Sequence, residues 1–255
     1  MVGPAPGSGP QERAQLLHAL LRRASLSKKN AVTRLFDATI LQARRQGLIP
    51  AVSRLAAIDS TGLESRHVSH YFTQRCQRHR AHEKARYPKH SALCDTRSHL
   101  VLGLIADRGP KPDAIEDEAT LDQAWRRQKF HTLLGDAGYE SERFHRRCRE
   151  GLGVRSIIPT TNRGRPRKDG RPQPARGHYR RLMQQRFPKK TYGQRWQIET
   201  VFSMVKRNLG AALTARTYHS QNREIALRLL THNLMILLCL MILRAFQQSR
   251  TVLLC

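Results

Sequence analysis

Tyr192, Arg195, Glu199, Phe202 and Lys206 step along the chain by 3, 4, 3 and 4 residues, the spacing that lines side chains up on one side of a helix. Ile198, Val201, Val205 and Leu209 fall on an adjoining apolar stripe, so the polar row runs along the edge of a buried face. A carboxylate between a guanidinium and an ammonium, with a phenol further back, suits a wall that holds a divalent metal against phosphodiester oxygens. Glu199 would bind the metal, and Arg195, Lys206 and Tyr192 would bind phosphate. The bland alternative is an i,i+4 ion pair between Arg195 and Glu199 on an exposed helix, worth about 0.3 kcal/mol.

Matching carboxylates elsewhere in the chain would favour the first reading, and there are two. Asp59 ends the apolar run Leu55-Ala-Ala-Ile58 and precedes Ser60-Thr61-Gly62, which reads as a buried strand carrying a carboxylate to its tip. Asp136 ends His131-Thr-Leu-Leu134-Gly135 and precedes Ala137-Gly138-Tyr139, after which Ser141 and Glu142 read as the cap and first turn of a helix through Cys148. A strand-end aspartate before a glycine can instead serve its own turn, its side chain bonding the local backbone. Two such aspartates and a helical glutamate in this order form a set that turn chemistry alone does not explain.

The elements that must position this set are legible in outline. Apolar spacing predicts one or two amphipathic helices over residues 12–47, with Leu16, Leu17, Leu20 and Leu21, then Val32, Leu35, Phe36 and Ile40, broken near Ser25–Asn30. They would form either a DNA-binding module or a brace for the larger domain. Strands are expected at Ser91–Cys94 and His99–Ala106, joined as a hairpin by an Asp95–Ser98 turn. A helix near Ile115–Gln128, with Leu121 and Trp125 at i,i+4, leads to the Asp136 strand; a helix over 141–150 and a strand near Val154–Ile158 follow. Early strands followed by alternating helix and strand fit an α/β sandwich with a mixed sheet.

Taken together, Ile58-Asp59-Ser60-Thr61, Gly135-Asp136-Ala137-Gly138-Tyr139 and the Tyr192, Arg195, Glu199, Lys206 row resemble the DDE transposases of bacterial insertion sequences, in the broad grouping of the fourth and fifth insertion-sequence families. The last spacing is that family's Tyr-x2-Arg-x3-Glu-x6-Lys pattern. Tyr87-Pro-Lys89-His90 is similar to the basic start of its second strand, and His232-Asn233-Leu234 to part of its last helix. The resemblance spans roughly residues 50 to 245. It implies a ribonuclease H-like mixed sheet flanked by helices, behind a short helical N-terminal region. Asp59, Asp136 and Glu199 would be both the catalytic residues and the metal ligands, with Asp59 bridging two Mg²⁺ ions, or Mn²⁺. Three carboxylates that close would repel one another unless cations sat among them. The expected reaction is in-line attack on a DNA phosphodiester, first hydrolytic at an element end and then transesterification into target DNA. Alternatives are a metal-dependent nuclease of the same fold, which cannot join strands, and a non-catalytic DNA-binding remnant.

Composition agrees with a polyanionic partner. The 255 residues carry 46 Lys and Arg against 19 Asp and Glu, a formal charge of +27, and neutralising about 6 to 10 phosphates would make binding steeply salt dependent. Double-stranded DNA, as element ends and target, is the expected partner, with a homodimer in the synaptic complex. Between residues 160 and 195 twelve Lys or Arg face Asp169 alone, which reads as a cationic flexible connection. Within it Arg163-Gly-Arg165-Pro-Arg167 has the form of an AT-hook core suited to a narrow minor groove, or is an Arg-rich linker without groove preference.

The remaining features define the frame. Cysteines at 76, 94, 148, 239 and 255 are odd in number and form no Cys-x2-Cys pair, as in a reduced, cytoplasmic protein; nucleoid association follows from the DNA partner. Cys76, His79 and His82, with His67, His70 and His90 nearby, lack a second cysteine pair and read as a solvated basic loop rather than a zinc site. The Pro/Gly-rich start has no basic and apolar leader pattern. Arg228, His232, Asn233 and Arg244 interrupt the apolar stretch Ile225–Phe246, where a membrane span needs about 20 apolar residues, so a helix on the core is expected and no membrane partner. The expected organisation is a disordered lead-in over 1–11, a helical region over 12–50, the catalytic domain over 51–247 with a basic insertion at 159–191, and a tail at 248–255.

Overall fold

A computed structural model describes residues 29–65, 87–161 and 173–252. The lead-in, the leucines at 16, 17, 20 and 21, the Cys76–His82 segment and the arginines at 163, 165 and 167 lie outside them. Five strands form one sheet: β1 (Val52–Gly62), β3 (Tyr87–Asp95), β4 (Val101–Gly109), β5 (Lys129–Gly135) and β6 (Arg155–Ile157), in the order β4-β3-β1-β5-β6. β3 pairs antiparallel with β1 and β4, and β5 pairs parallel with β1 and β6. The short β2 (Glu64–Ser65) pairs with β7 (Ala212–Leu213) beyond the end of β1. The ribonuclease H-like architecture that the resemblance implied, a mixed sheet flanked by helices, is the one observed.

The central strand explains its own composition. Ala56, Ala57 and Ile58 have no exposed surface, because β1 is covered on both faces, and such a strand reads as a continuous apolar run. Successive side chains alternate between faces. Ala56 and Ile58 join Leu93, Leu121, Phe130 and Phe144 in one core layer, and Ala57 joins Ala92, Leu134, Ile198, Val201 and Val205 in the other. The first layer is closed by α2 (Asp117–Arg127) and α3 (Glu142–Arg146), the second by α6 (Trp196–Leu209). α1 (Lys29–Arg45) supplies Ile40 and Ala43 to the first and Phe36 to the second, so its described part braces the sheet. Between α2 and β4 the backbones approach so closely that a Cβ on Gly103 would stand 2.4 Å from the Thr120 carbonyl oxygen.

Two expectations are corrected. β1 does not stop at Asp59: its parallel pairing with β5 ends at Ile58 and Gly135, while pairing with the longer β3 carries it on to Gly62. The connection before Tyr192 is not wholly flexible, for it contains α4 (His178–Gln185) and α5 (Lys189–Tyr192). The reason is local electrostatics. Glu142 of α3 accepts hydrogen bonds from the backbone N–H groups of His178 (2.9 Å), Tyr179 (3.2 Å) and Arg180 (3.1 Å), supplying the orphan donors at the start of α4 with a carboxylate. Gly177, at φ +102°, lets the chain turn there without a Cβ that would collide with that carboxylate.

α7 (Tyr218–Val252) closes the second layer with Ile225, Leu229 and Leu230. Its Asn233 side chain accepts from Val101 N–H and donates to Val101 C=O, both at 2.8 Å, which anchors the helix to β4. By length and composition this helix could cross a membrane, but Ile225, Leu229, Leu230 and Leu237 are buried in the core, while Leu238, Met241, Ile242, Leu243 and Phe246 are exposed.

Gly103→Ala should cost about 1–3 kcal/mol in urea unfolding, because the two backbones must separate to admit the methyl. Glu142 supplies a pH test. Burial alone would raise its pKa, but the three N–H donors outweigh it and hold it below the ordinary carboxylate value. Its contribution is therefore complete above the unfolded value and lost as pH falls through the folded one. Glu142→Gln should be less stable at neutral pH and lose less stability on acidification below about pH 4 than the native chain; parallel stability profiles would refute the cap.

Candidate active site

Alternation along β1 decides what faces α6. Ala57 lies on the α6 side, so Asp59 and Thr61, two and four residues on, point the same way. Both meet the row read from the sequence. Arg195 Nη1 donates to Asp59 Oδ2 at 3.0 Å, and Lys206 Nζ donates to Thr61 Oγ1 at 2.9 Å. Arg195 Nη2 donates in turn to Glu199 Oε1, so one guanidinium joins a strand carboxylate to a helix carboxylate. The other Asp59 oxygen accepts from Ser60 N–H at 2.8 Å.

The polar row is a helical face as its spacing required, although Gly193–Arg195 forms a 3₁₀ turn between α5 and α6. Ile198, Val201 and Val205 are buried and hold the row in register. An open cleft of about 640 Å³ is lined by Asp59, Ser60, Thr61, Glu199, Phe202 and Lys206 among others. Glu199 is the most accessible acid there, with 55% of its side chain exposed against 16% for Asp59.

Burial would lower the Arg195 pKa, but Asp59, Tyr192 and Glu199 outweigh it and hold it above the usual arginine range. Tyr192 packs edge-on against Phe187, with ring centroids 4.9 Å apart. Burial raises its phenol pKa, Arg195 opposes this, and the negative charges of Asp136 and then Asp59 add to the rise. Tyr192 thus stands within electrostatic reach of both aspartates.

Asp136 behaves differently from the other two acids. Its Oδ1 accepts from Gly138 N–H at 2.5 Å and caps the 3₁₀ turn Ala137–Tyr139, the turn chemistry that the Asp-Ala-Gly sequence also allowed. The parallel register still places it directly after Gly135, beside the strand position that follows Ile58. Among the described residues no three His, Cys, Asp or Glu side chains stand close enough together to hold a metal ion. The structure brings Asp59 and Glu199 onto one cation, Arg195, and leaves Asp136 on its own turn. As hard oxygen donors, Asp59 and Glu199 could hold a divalent cation, with Asp136 the neighbouring third carboxylate.

Thr61 and His90 join the site only through the fold. Thr61 was within reach of period-two counting from Asp59. His90 lies beneath the cleft: it pairs with Thr61 across β1 and β3, meets the Phe202 ring edge-on at 5.3 Å, and has no hydrogen-bond partner among the described residues on either ring nitrogen. Burial, then the Lys206 charge, pushes its pKa down to about 3, so it adds no charge to the floor at neutral pH. A histidine beside a lysine in the sequence reads as a basic pair, and only packing makes it a neutral aromatic support.

A family model described as Transposase DDE domain matches residues 50–234. No curated protein matches the chain. Among solved structures, the chain is similar to one described as a CryoEM structure of simian T-cell lymphotropic virus intasome in complex with PP2A regulatory subunit B56 gamma. The identity is 10% and the TM-score 0.37, over 70% of this chain and 48% of that one, so this chain spans about half the length of its counterpart.

In spectrophotometric titration, the phenol lost on Tyr192→Phe substitution should be one that ionises above the ordinary tyrosine value. Asp136→Asn should bring that ionisation down. An unchanged Tyr192 titration in the Asp136 variant would show that the two groups do not interact.

Proposed function

The chain belongs to the transposase DDE domain family, and from that premise we propose that it cleaves and joins DNA strands as the transposase of an insertion sequence. The observation that carries this reading is the convergence of Asp59 from the central strand and Glu199 from α6 on one guanidinium, in an open cleft also lined by Lys206. Asp59, Glu199 and Asp136 would hold divalent ions, Mg²⁺ or Mn²⁺. When bound, two such ions supply Lewis acidity that activates the attacking hydroxyl and steadies the leaving oxygen.

The chain's own groups orient the DNA. Lys206, held by Thr61, presents its ammonium to a phosphate at the mouth of the cleft. Arg195 offers a planar fork of donors that matches either a carboxylate or a phosphate. Tyr192, kept protonated well past neutral pH, remains a hydrogen-bond donor toward the same strand. The charge of +27 draws a duplex to the surface, and Arg163, Arg165 and Arg167 add DNA-binding charge to it. Joining two element ends calls for a second copy of the chain, which makes a homodimer the working assembly.

The test is incubation with Mn²⁺ or Mg²⁺ and a labelled duplex carrying the DNA that flanks the gene. Discrete cleavage and joining are expected, with Asp59→Asn, Asp136→Asn and Glu199→Gln each reducing both by on the order of 10³-fold while leaving duplex binding intact. Cleavage without joining would point to a nuclease. Salt-sensitive binding with no metal-dependent product would point to a non-catalytic remnant.

A further inference from the structure

Arg195 is the shared counter-ion of two acids from separate elements, both of which line the cleft. Asp59 lies 136 positions away in sequence and Glu199 one helical turn on, yet each takes a different nitrogen of the same guanidinium. The Arg195–Asp59 pair is partly shielded, with 21% and 16% of the two side chains exposed, while 55% of the Glu199 side chain is exposed. At such sites an ion pair is stronger than in bulk water, and a second cation on the same carboxylates meets both repulsion and competition for their oxygens. A phosphodiester competes from the other direction, since a guanidinium fork binds phosphate as well as it binds carboxylate.

We propose that Arg195 couples DNA binding to metal binding at this site: without DNA it occupies Asp59 and Glu199 and weakens their hold on a divalent ion, and a DNA phosphate draws it away. This rests on the reading of Asp59 and Glu199 as metal ligands. The coupling is reciprocal, so whatever factor DNA adds to metal affinity, metal adds to DNA affinity. Its consequence is a site that loads metal chiefly when substrate is present. The fork matters as well as the charge, because both carboxylates are held only if two nitrogens point at them together.

The experiment counts free Mn²⁺ by its paramagnetic resonance signal while the full chain is titrated, with and without a short DNA duplex whose own Mn²⁺ binding is subtracted. Native chain, Arg195→Gln, Arg195→Lys and Asp59→Asn are compared, each checked for native circular dichroism. Without DNA, Arg195→Gln should bind Mn²⁺ about tenfold more tightly than the native chain, with Arg195→Lys between them. Added duplex should tighten the native chain by a similar factor and leave Arg195→Gln nearly unchanged, and Asp59→Asn should abolish binding throughout. If Arg195→Gln does not fold, Arg195→Lys and the native response to DNA decide alone. Equal affinity of native and variant chains without DNA, or an equal gain with it, overturns the coupling while leaving the ligands in place. Failure of every chain to bind Mn²⁺, with DNA or without, overturns the ligand assignment itself and the coupling with it.

Discussion

A strand buried on both faces can carry a charge only where its cover ends, and that constraint on β1 organises the molecule. Ala56, Ala57 and Ile58 are sealed between two core layers, and the next residue is Asp59. The β5 neighbour stops pairing at that level, while β3 continues to pair with β1 as far as Gly62. Strand alternation then turns Asp59 and Thr61 toward α6, whose polar row has one helical edge on which to meet them. The positions of Arg195, Glu199 and Lys206 relative to β1 all follow from this one registration.

Holding α6 to that registration falls to polar contacts at its two ends. Near its start, Gln197 Oε1 meets His99 Nε2 at 2.6 Å, on the turn between β3 and β4, and His232 of α7 bonds the His99 carbonyl at 3.0 Å. Beyond its end, Arg228 of α7 donates to the carbonyls of Gly210 at 2.5 Å and Ala212 at 2.8 Å, itself paired with Glu224. The Arg228 bonds are charge-assisted and partly buried, a class that contributes about 1.5–3 kcal/mol each, and all these contacts are more directional than apolar packing. α7 is therefore a frame for the α6 wall of the cleft as well as a lid on the core.

The charge of the chain makes its few acids informative. With 46 basic residues against 19 acidic ones, a carboxylate is seldom far from a cation, and most acids can be satisfied by surface pairing. Asp59 and Glu199 differ because they share one guanidinium inside a cleft. Glu142 differs in another way, spending its charge on the start of α4. One acid thus orders part of the basic segment leading to the site, and two others set the electrostatics of the site itself.

Spacing alone pointed to a helical row along residues 192–206 with a polar edge, which the folded chain builds from the 3₁₀ turn Gly193–Arg195 and α6. Apolar runs ending in Asp59 and Asp136 likewise marked two strands and two candidate acids, and the three motifs together disclosed the family. What the sequence left open was partnership between distant residues. No local pattern states that Arg195 takes Asp59 as well as Glu199, that Lys206 rests on Thr61, or that His90 is neutral beneath Phe202, because each depends on strand order and register. The same holds for Asp136, whose motif served equally for a metal ligand and for a turn. The folded chain shows its carboxylate bonded to Gly138, a contact that costs no long-range ordering, whereas gathering three like charges requires a cation to offset their repulsion. Local periodicity is written into the covalent chain, while the pairing of charges is decided by which surfaces the core brings together.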